Sequence, residues 1–264
     1  MSLSQIGDDF MEIRLSFSFQ DELILPISYY HIVQAFVYSN IGEQLARELH
    51  NHGYVYENRR FKLFCFSKLL GDFQIDIKNK RISFASPVQL YITTPVENFA
   101  HSLVNTILKN ELWIDKTKVF VENVEITDNC VNGDSPFVRA FVKPYSVVTI
   151  YSTMTKGDGR KFTHYYMPWE KDYQTLISEN LLKKAKILGL PVQKPILSVR
   201  VKGRPKEKLI LYKDFVVKGH DAPMILEGDR HLVNTALTAG VGGKNSQGFG
   251  MIGLIKYESL GMEK

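Results

Sequence analysis

Two hydrophobic periodicities, one of 2 for a half-buried strand and one near 3.6 for a helix lying on a core, follow each other in the same order in both halves of this chain. In the first half, residues 12–20 alternate, with Ile13, Leu15, Phe17 and Phe19 on one face. Val33, Val37, Ile41, Leu45 and Leu49 then recur every fourth residue; Ser28 is placed to cap the helix and Gly53 to stop it, and Gly42 can divide it. Strand-like runs at 62–66 and 81–86, a helical stretch at 96–109 and a strand at 119–126 complete the order β, α, β, β, α, β.

After the turn-rich Asn132-Gly133-Asp134-Ser135-Pro136 the order returns. Strands at 146–151 and 162–166 form a pair, a helix spans 171–188, strands follow at 196–202 and 209–218, a short helix at 230–238 and a last strand at 251–257. The expected fold is α+β, two tandem ferredoxin-like (split βαβ, RRM-like) domains at 11–132 and 137–264, with 1–10 a flexible or cloning-derived extension. A chain of 264 residues supplies two hydrophobic cores of ordinary size. The fold hosts many functions, so chemistry has to come from the site.

Residues 240–250 read GVGGKNSQGFG, two glycine-apolar-glycine triplets around Lys244, Asn245 and Ser246. Glycine costs backbone entropy wherever it is fixed, so this spacing points to positive φ angles or to close approach by another group. A Walker loop would need Ser or Thr after Lys244, where Asn245 stands. A dinucleotide fingerprint needs a third glycine where Asn245 lies, a strand before and a helix after, the reverse of the order here. What remains is a phosphate backbone approaching Gly240, Gly242, Gly248 and Gly250, or a glycine-rich hairpin or helix C-cap with no ligand. Phe249 reads as core.

The formal charge is +5, unevenly placed: residues 183–218 hold eleven Lys and Arg against two acids, Glu207 and Asp214. Such a segment attracts polyanions or forms a solvated helix face. Arg200, Lys202, Arg204, Lys206 and Lys208 straddle Gly203 and Pro205, which reads as a hairpin turn carrying cations at its tip. Cys65 and Cys130 are the only cysteines and form no CxxC pair, which argues against a disulfide scaffold or structural zinc and for a reducing compartment. No stretch approaches the roughly 18 apolar residues of a membrane span, and no signal segment opens the chain, so a cytoplasmic protein without a membrane partner is expected.

No HExxH, EF-hand loop, GxSxG elbow or carboxylate cluster is present, which favours chemistry without a metal or other cofactor. Of seven histidines, His31, His101, His164, His220 and His231 are isolated on elements or turns and read as structural. His50 and His52 lie at the expected end of the first helix, where the macrodipole favours imidazolium.

The glycine segment, the tandem βαββαβ order, the helical stretch 38–50 and the FKLFCFS run after it together resemble the CRISPR-associated Cas-six family of repeat-RNA processing endoribonucleases, in the RAMP superfamily. The resemblance covers about residues 11–257. It implies cleavage of precursor CRISPR RNA within each repeat without a metal: the neighbouring 2′-hydroxyl attacks the scissile phosphate and leaves 2′,3′-cyclic phosphate and 5′-hydroxyl ends. In members with a Tyr-His-Lys arrangement, the matching positions here are Tyr38, His50 and Lys62, as orienting or donating hydroxyl, general base or acid, and transition-state cation. His52 is the rival of His50. A two-residue step turns a helix by about 200°, so only one of the pair faces a given cleft. The implied partner is CRISPR repeat RNA, with the N–H groups of the glycine loop and Lys244 facing its phosphates, Asn245 or Ser246 adding hydrogen bonds, and the cations from Arg200 to Lys208 gripping it at a second surface; effector-complex subunits and a homodimer stay open, and so does a non-catalytic RAMP-type RNA-binding subunit.

Overall fold

The alternation of Ile13, Leu15 and Phe17 places one face of the strand Met11–Ser18 in the core, and this strand is the centre of the first sheet. The protein, seen in a computed structural model, is described over residues 11–261, so the expected extension at 1–10 lies outside the described residues. The first sheet is antiparallel, in the order Cys65–Phe66, Val88–Thr94, Met11–Ser18, Thr117–Asp128 and Leu112–Ile114. Helix α1 (Tyr30–Ser39), α2 (Glu43–Asn51) and α3 (Glu97–Ile107) belong to the same half. Gly42 divides α1 from α2, as its position suggested. Gly53, at φ 59°, ends α2 by donating its N–H to the carbonyl of Glu48 at 3.0 Å. The start is different: the N-cap of α1 is Tyr29, while the Ser28 carbonyl accepts from His31 Nδ1 at 2.7 Å.

The second sheet runs Leu197–Val201, Met224–Asp229, Phe137–Pro144, Ile252–Leu260, again antiparallel. Helices α4 (Tyr173–Ile187) and α5 (Arg230–Ala239) belong with it. Asp229 caps α5, its Oδ1 accepting from His231 N at 2.9 Å. In each half the first strand lies between the third and the fourth, with the second beyond the third: two split βαβ units in tandem.

Three strand assignments needed correction. The third strand of the first sheet is Val88–Thr94, whereas Arg81–Phe84 pairs with Leu23–Pro26 and Phe73–Asp76 in a small separate sheet. In the second half, Phe137–Pro144 is the central strand although Pro136 and Pro144 flank it like a linker, and apolar Phe137 and Phe141 on its outer face blur the alternation. The run at 209–218 is a hairpin of Lys208–Tyr212 with Phe215–Gly219, and Met224–Asp229 takes its place in the sheet. The pair expected near 146–166 forms at Ile150–Thr155 and Lys161–Tyr166.

The halves are joined through the glycine-rich segment. Phe249 is fully buried against the N-terminal core, stacked on Tyr30 with ring centroids 5.3 Å apart, and Cys65 Sγ donates to its carbonyl at 3.2 Å. Burying a phenylalanine this way contributes roughly 2–3 kcal/mol. Among the described residues no helix is long and apolar enough to cross a membrane.

Candidate active site and nucleic-acid interface

Between the halves opens a cleft of about 650 Å³. One wall is the segment after α2, from Arg59 to Phe64; the other carries Ile150 to Thr153, one side of α4, and residues 242–247 of the glycine-rich loop. Six cations line it, Arg59, Arg60, Lys62, Lys183, Lys184 and Lys244, against the single carboxylate of Glu179. An apposition of this kind in a concave site focuses positive potential on whatever enters.

The glycines serve a purpose other than the one expected. At φ +76° a side chain on Gly250 would put its Cβ 2.0 Å from the carbonyl oxygen of Val241, and at φ +89° one on Gly248 would meet the rings of Phe66 and Tyr30 at 2.5 Å. What approaches these glycines is this protein's own chain. Gly240, Gly248 and Gly250 are buried in the joint between the halves and do not line the cleft; Gly242, Lys244, Asn245 and Ser246 do. The N–H groups of Val241, Gly243, Gln247, Gly248 and Gly250 all donate to protein carbonyls, at 2.8 to 3.0 Å, so they do not face phosphate.

Asn245, which lines the cleft, is also a staple of the loop. Its Nδ2 donates to Val241 O at 3.1 Å and Phe249 O at 3.0 Å, tying the two arms of the loop, and its Oδ1 accepts from Lys184 Nζ at 2.8 Å. The Ser246 carbonyl accepts from Gln34 Nε2 on α1 at 2.7 Å, and Gln34 Oε1 accepts from the Tyr212 hydroxyl. Lys244 projects its ammonium over Tyr151 and Phe215, 5.0 and 4.8 Å from the ring centroids, and burial lowers its pKa.

The basic stretch is not a hairpin tip. Leu197–Val201 and Lys208–Tyr212 belong to different sheets, so Lys202, Arg204 and Lys206 lie on an exposed crossover between them. Arg200 pairs with Glu227 at 3.1 Å and Lys208 with Asp221 at 3.3 Å. None of the five lines the cleft.

Tyr38, His50 and Lys62 come together at the end of α2. The rings of Tyr38 and His50 meet edge to face, centroids 6.2 Å apart at 81°, and Tyr38 also packs on Phe64. Lys62 donates from Nζ to the carbonyl of His50 at 2.9 Å and to that of Leu49, closing the C-terminal end of the helix. Burial, with Arg60 nearby, lowers the Lys62 pKa. Burial pushes the Tyr38 phenol up to about 12, so it is protonated near neutrality. His50 Nδ1 lies 3.1 Å from Asn51 Oδ1. His52 is the exposed C-cap of α2. Lys62 belongs both to this group and to the cleft wall.

Sequence reasoning passed over Arg59 and Arg60, the two cations just ahead of Lys62, and Tyr151. It counted Lys183 and Lys184 only as part of a charge run. A doubled arginine two residues before a site lysine was the available signal for the first pair; the burial of Lys184 had none. Among the described residues, no group of three or more His, Cys, Asp or Glu side chains could hold a metal ion.

Residues 24–125 match the model of the N-terminal part of CRISPR-associated protein Cas6, and residues 134–254 that of its C-terminal part. The chain belongs to the Cas6 family. A relative from Methanocaldococcus jannaschii, CRISPR-associated endoribonuclease Cas6 1, is 24% identical over 249 residues, 92% of each chain. Among solved Cas6-like structures, the product of a Cas6-related gene of Pyrococcus furiosus superposes with a TM-score of 0.77 at 18% identity, over 94% of this chain and 99% of the other. A structure described as an RAMP protein binding different RNA substrates gives 0.76 at 18% identity, over 93% of this chain and all of the other. These likenesses establish tandem ferredoxin-like domains as the Cas6 fold of this chain.

Proposed function

We propose that this Cas6-family endoribonuclease cuts precursor CRISPR RNA within its repeats by 2′-hydroxyl attack, without a metal, and so produces guide RNAs. The observation that carries the reading is the cleft of six cations and one carboxylate, one of whose lining residues, Lys62, also bonds the backbone carbonyl of His50, next to the Tyr38–His50 ring contact; Tyr38 and His50 themselves do not line the cleft. A phosphodiester backbone is the ligand whose charge and length fit such a groove. The relative named as an endoribonuclease and a family structure described as a product complex support the same assignment.

His50 takes the proton of the 2′-hydroxyl as its oxygen bonds to phosphorus; the bond from phosphorus to the 5′-oxygen breaks, and that oxygen takes a proton from the Tyr38 hydroxyl, which solvent restores as His50 releases its own. Tyr38, held protonated by burial, can only donate or orient, which leaves the base role to His50. Lys62 stabilises the additional negative charge on the phosphorane-like transition state. Lys244 and Arg59 hold flanking phosphates across the cleft.

Incubation of the protein with repeat RNA from the CRISPR array of the same genome, in excess EDTA, tests this. The expected result is undiminished cutting that leaves 2′,3′-cyclic phosphate and 5′-hydroxyl ends. Activity lost in EDTA and restored by Mg²⁺, or 3′-hydroxyl products, would overturn it.

A further inference from the structure

Like Gln34 and Cys65, Lys184 reaches the glycine-rich loop from another element, and it makes the most bonds there of the three. Lys184, in α4, is only 2% exposed, and its Nζ lies 2.6 Å from Gly240 O, 3.1 Å from Ala239 O and 2.8 Å from Asn245 Oδ1, with Gly242 O at 3.5 Å. Ala239 and Gly240 are the last residue and the cap of α5, so the ammonium sits at the negative end of that helix and supplies donors to carbonyls that lack a partner within it. Every one of these neighbours is an acceptor. The arrangement suits an ammonium with three protons and not an amine with a lone pair.

No carboxylate lies within ion-pairing distance of Lys184 among the described residues. Burial therefore pulls its pKa down to about 7, an effect the neighbouring Cys65 opposes in part. An uncompensated buried charge is retained at a cost in stability. A methionine would fill the same space as part of the core, so packing alone does not explain the lysine.

We infer that Lys184 is a positioning residue for RNA: by tying the end of α5 to Asn245 it fixes residues 242–246, and with them Lys244, on the wall of the cleft. The inference rests on the reading of the cleft as an RNA site. Lys184 acts through the loop, since so little of it reaches the surface. Lys244 is next in sequence to Asn245, in a left-handed conformation at φ 59° that aims its side chain between Tyr151 and Phe215. The loop's other ties, from the Gly243 N–H to Thr149 O, the Gly250 N–H to Val147 O and Gln34 Nε2 to Ser246 O, hold its backbone, whereas Lys184 is what holds the Asn245 side chain and the end of α5 to α4; without it the turn that aims Lys244 loosens.

A double-mutant cycle on the full-length protein tests the coupling. Lys184→Met, Lys244→Ala and the double variant are compared with the parent for affinity toward repeat RNA carrying a 2′-deoxy sugar before the cleavage point, from 50 to 300 mM salt, with thermal melts as folding controls. Each single variant is expected to weaken binding by about tenfold, the double variant by about tenfold again in total and not a hundredfold, and all three to lower the salt slope by about 0.7 to 1. A purely structural lysine would not share its loss with Lys244. Parent-like affinity in Lys184→Met, or losses that multiply, would overturn the inference. Parent-like affinity in Lys244→Ala would instead overturn the loop's part in RNA binding. Should Lys184→Met fail to fold, Lys184→Gln, which keeps a donor near Gly240 O, is carried through the same cycle under the same criteria.

Discussion

The ring of His50 meets the ring of Tyr38 edge to face, 6.2 Å between centroids, while the carbonyl of the same His50 accepts a hydrogen bond from Lys62 Nζ at 2.9 Å. Three residues from two helices and the segment after them are thus fixed at one helix end. The ring that packs on Tyr38 is that of His50, whereas His52, two positions on, is the exposed C-cap of α2.

His50→Ala is accordingly expected to slow single-turnover cleavage of repeat RNA by at least about a hundredfold, the usual range for losing a positioned proton-transfer group. His52→Ala should change the rate by less than about threefold. Quenched time courses at saturating protein measure both, and the reverse ranking would move the base to His52.

Lys62 has a structural role as well as the proposed chemical one, because its ammonium closes α2. Lys62→Met should therefore destabilise the fold by about 1 kcal/mol in urea melts and reduce the cleavage rate far more than RNA affinity. Equal losses in rate and affinity would indicate ground-state phosphate binding only.

The glycine-rich loop makes a prediction about stability and not about RNA. Gly250→Ala places a methyl group 2.0 Å from the Val241 carbonyl oxygen at φ +76°. The joint between the halves must then shift, at about 3 kcal/mol or more. Gly159→Ala, at φ +81° but with nothing within 4 Å, carries only the backbone strain, about 1 kcal/mol. Chemical denaturation of the two variants measures the difference.

His220 is fully buried, and burial pushes its pKa down to about 4. The Ala222 N–H donates to Nδ1 at 3.3 Å, which leaves the ring proton on Nε2, facing the Tyr173 hydroxyl. A base with a depressed folded pKa gives stability that is whole above its unfolded value near 6.5 and is lost as pH falls toward 4. The parent should lose about 2–3 kcal/mol over that interval from this group. In His220→Gln the loss over the same interval should be smaller by that amount; urea melts at pH 7 and pH 4.5 compare the two.

Much of this was legible in the sequence. Helix spacing gave α1 and α2 with their break at Gly42, and the order of elements gave the fold class. The central strands Val88–Thr94 and Phe137–Pro144 escaped because prolines stand at their ends and aromatic residues occupy the outer face, so local cues read as turns. The Tyr38, His50 and Lys62 positions came from family resemblance. That Asn245 is a loop staple and Lys184 its anchor could not be read from one dimension, since both facts depend on α4 crossing under a loop about sixty residues later. The glycines signalled close approach correctly, but the approaching atoms belong to Val241, Phe66 and Tyr30.

The most direct test of the chemistry replaces one oxygen. A repeat RNA with a single 2′-deoxy sugar before the scissile phosphate should bind with the affinity of the all-ribose RNA and remain uncut while the all-ribose RNA is cleaved in EDTA. Cleavage of the deoxy RNA at the same phosphate would contradict the account, because the proposed nucleophile would then be absent from a reaction that still runs.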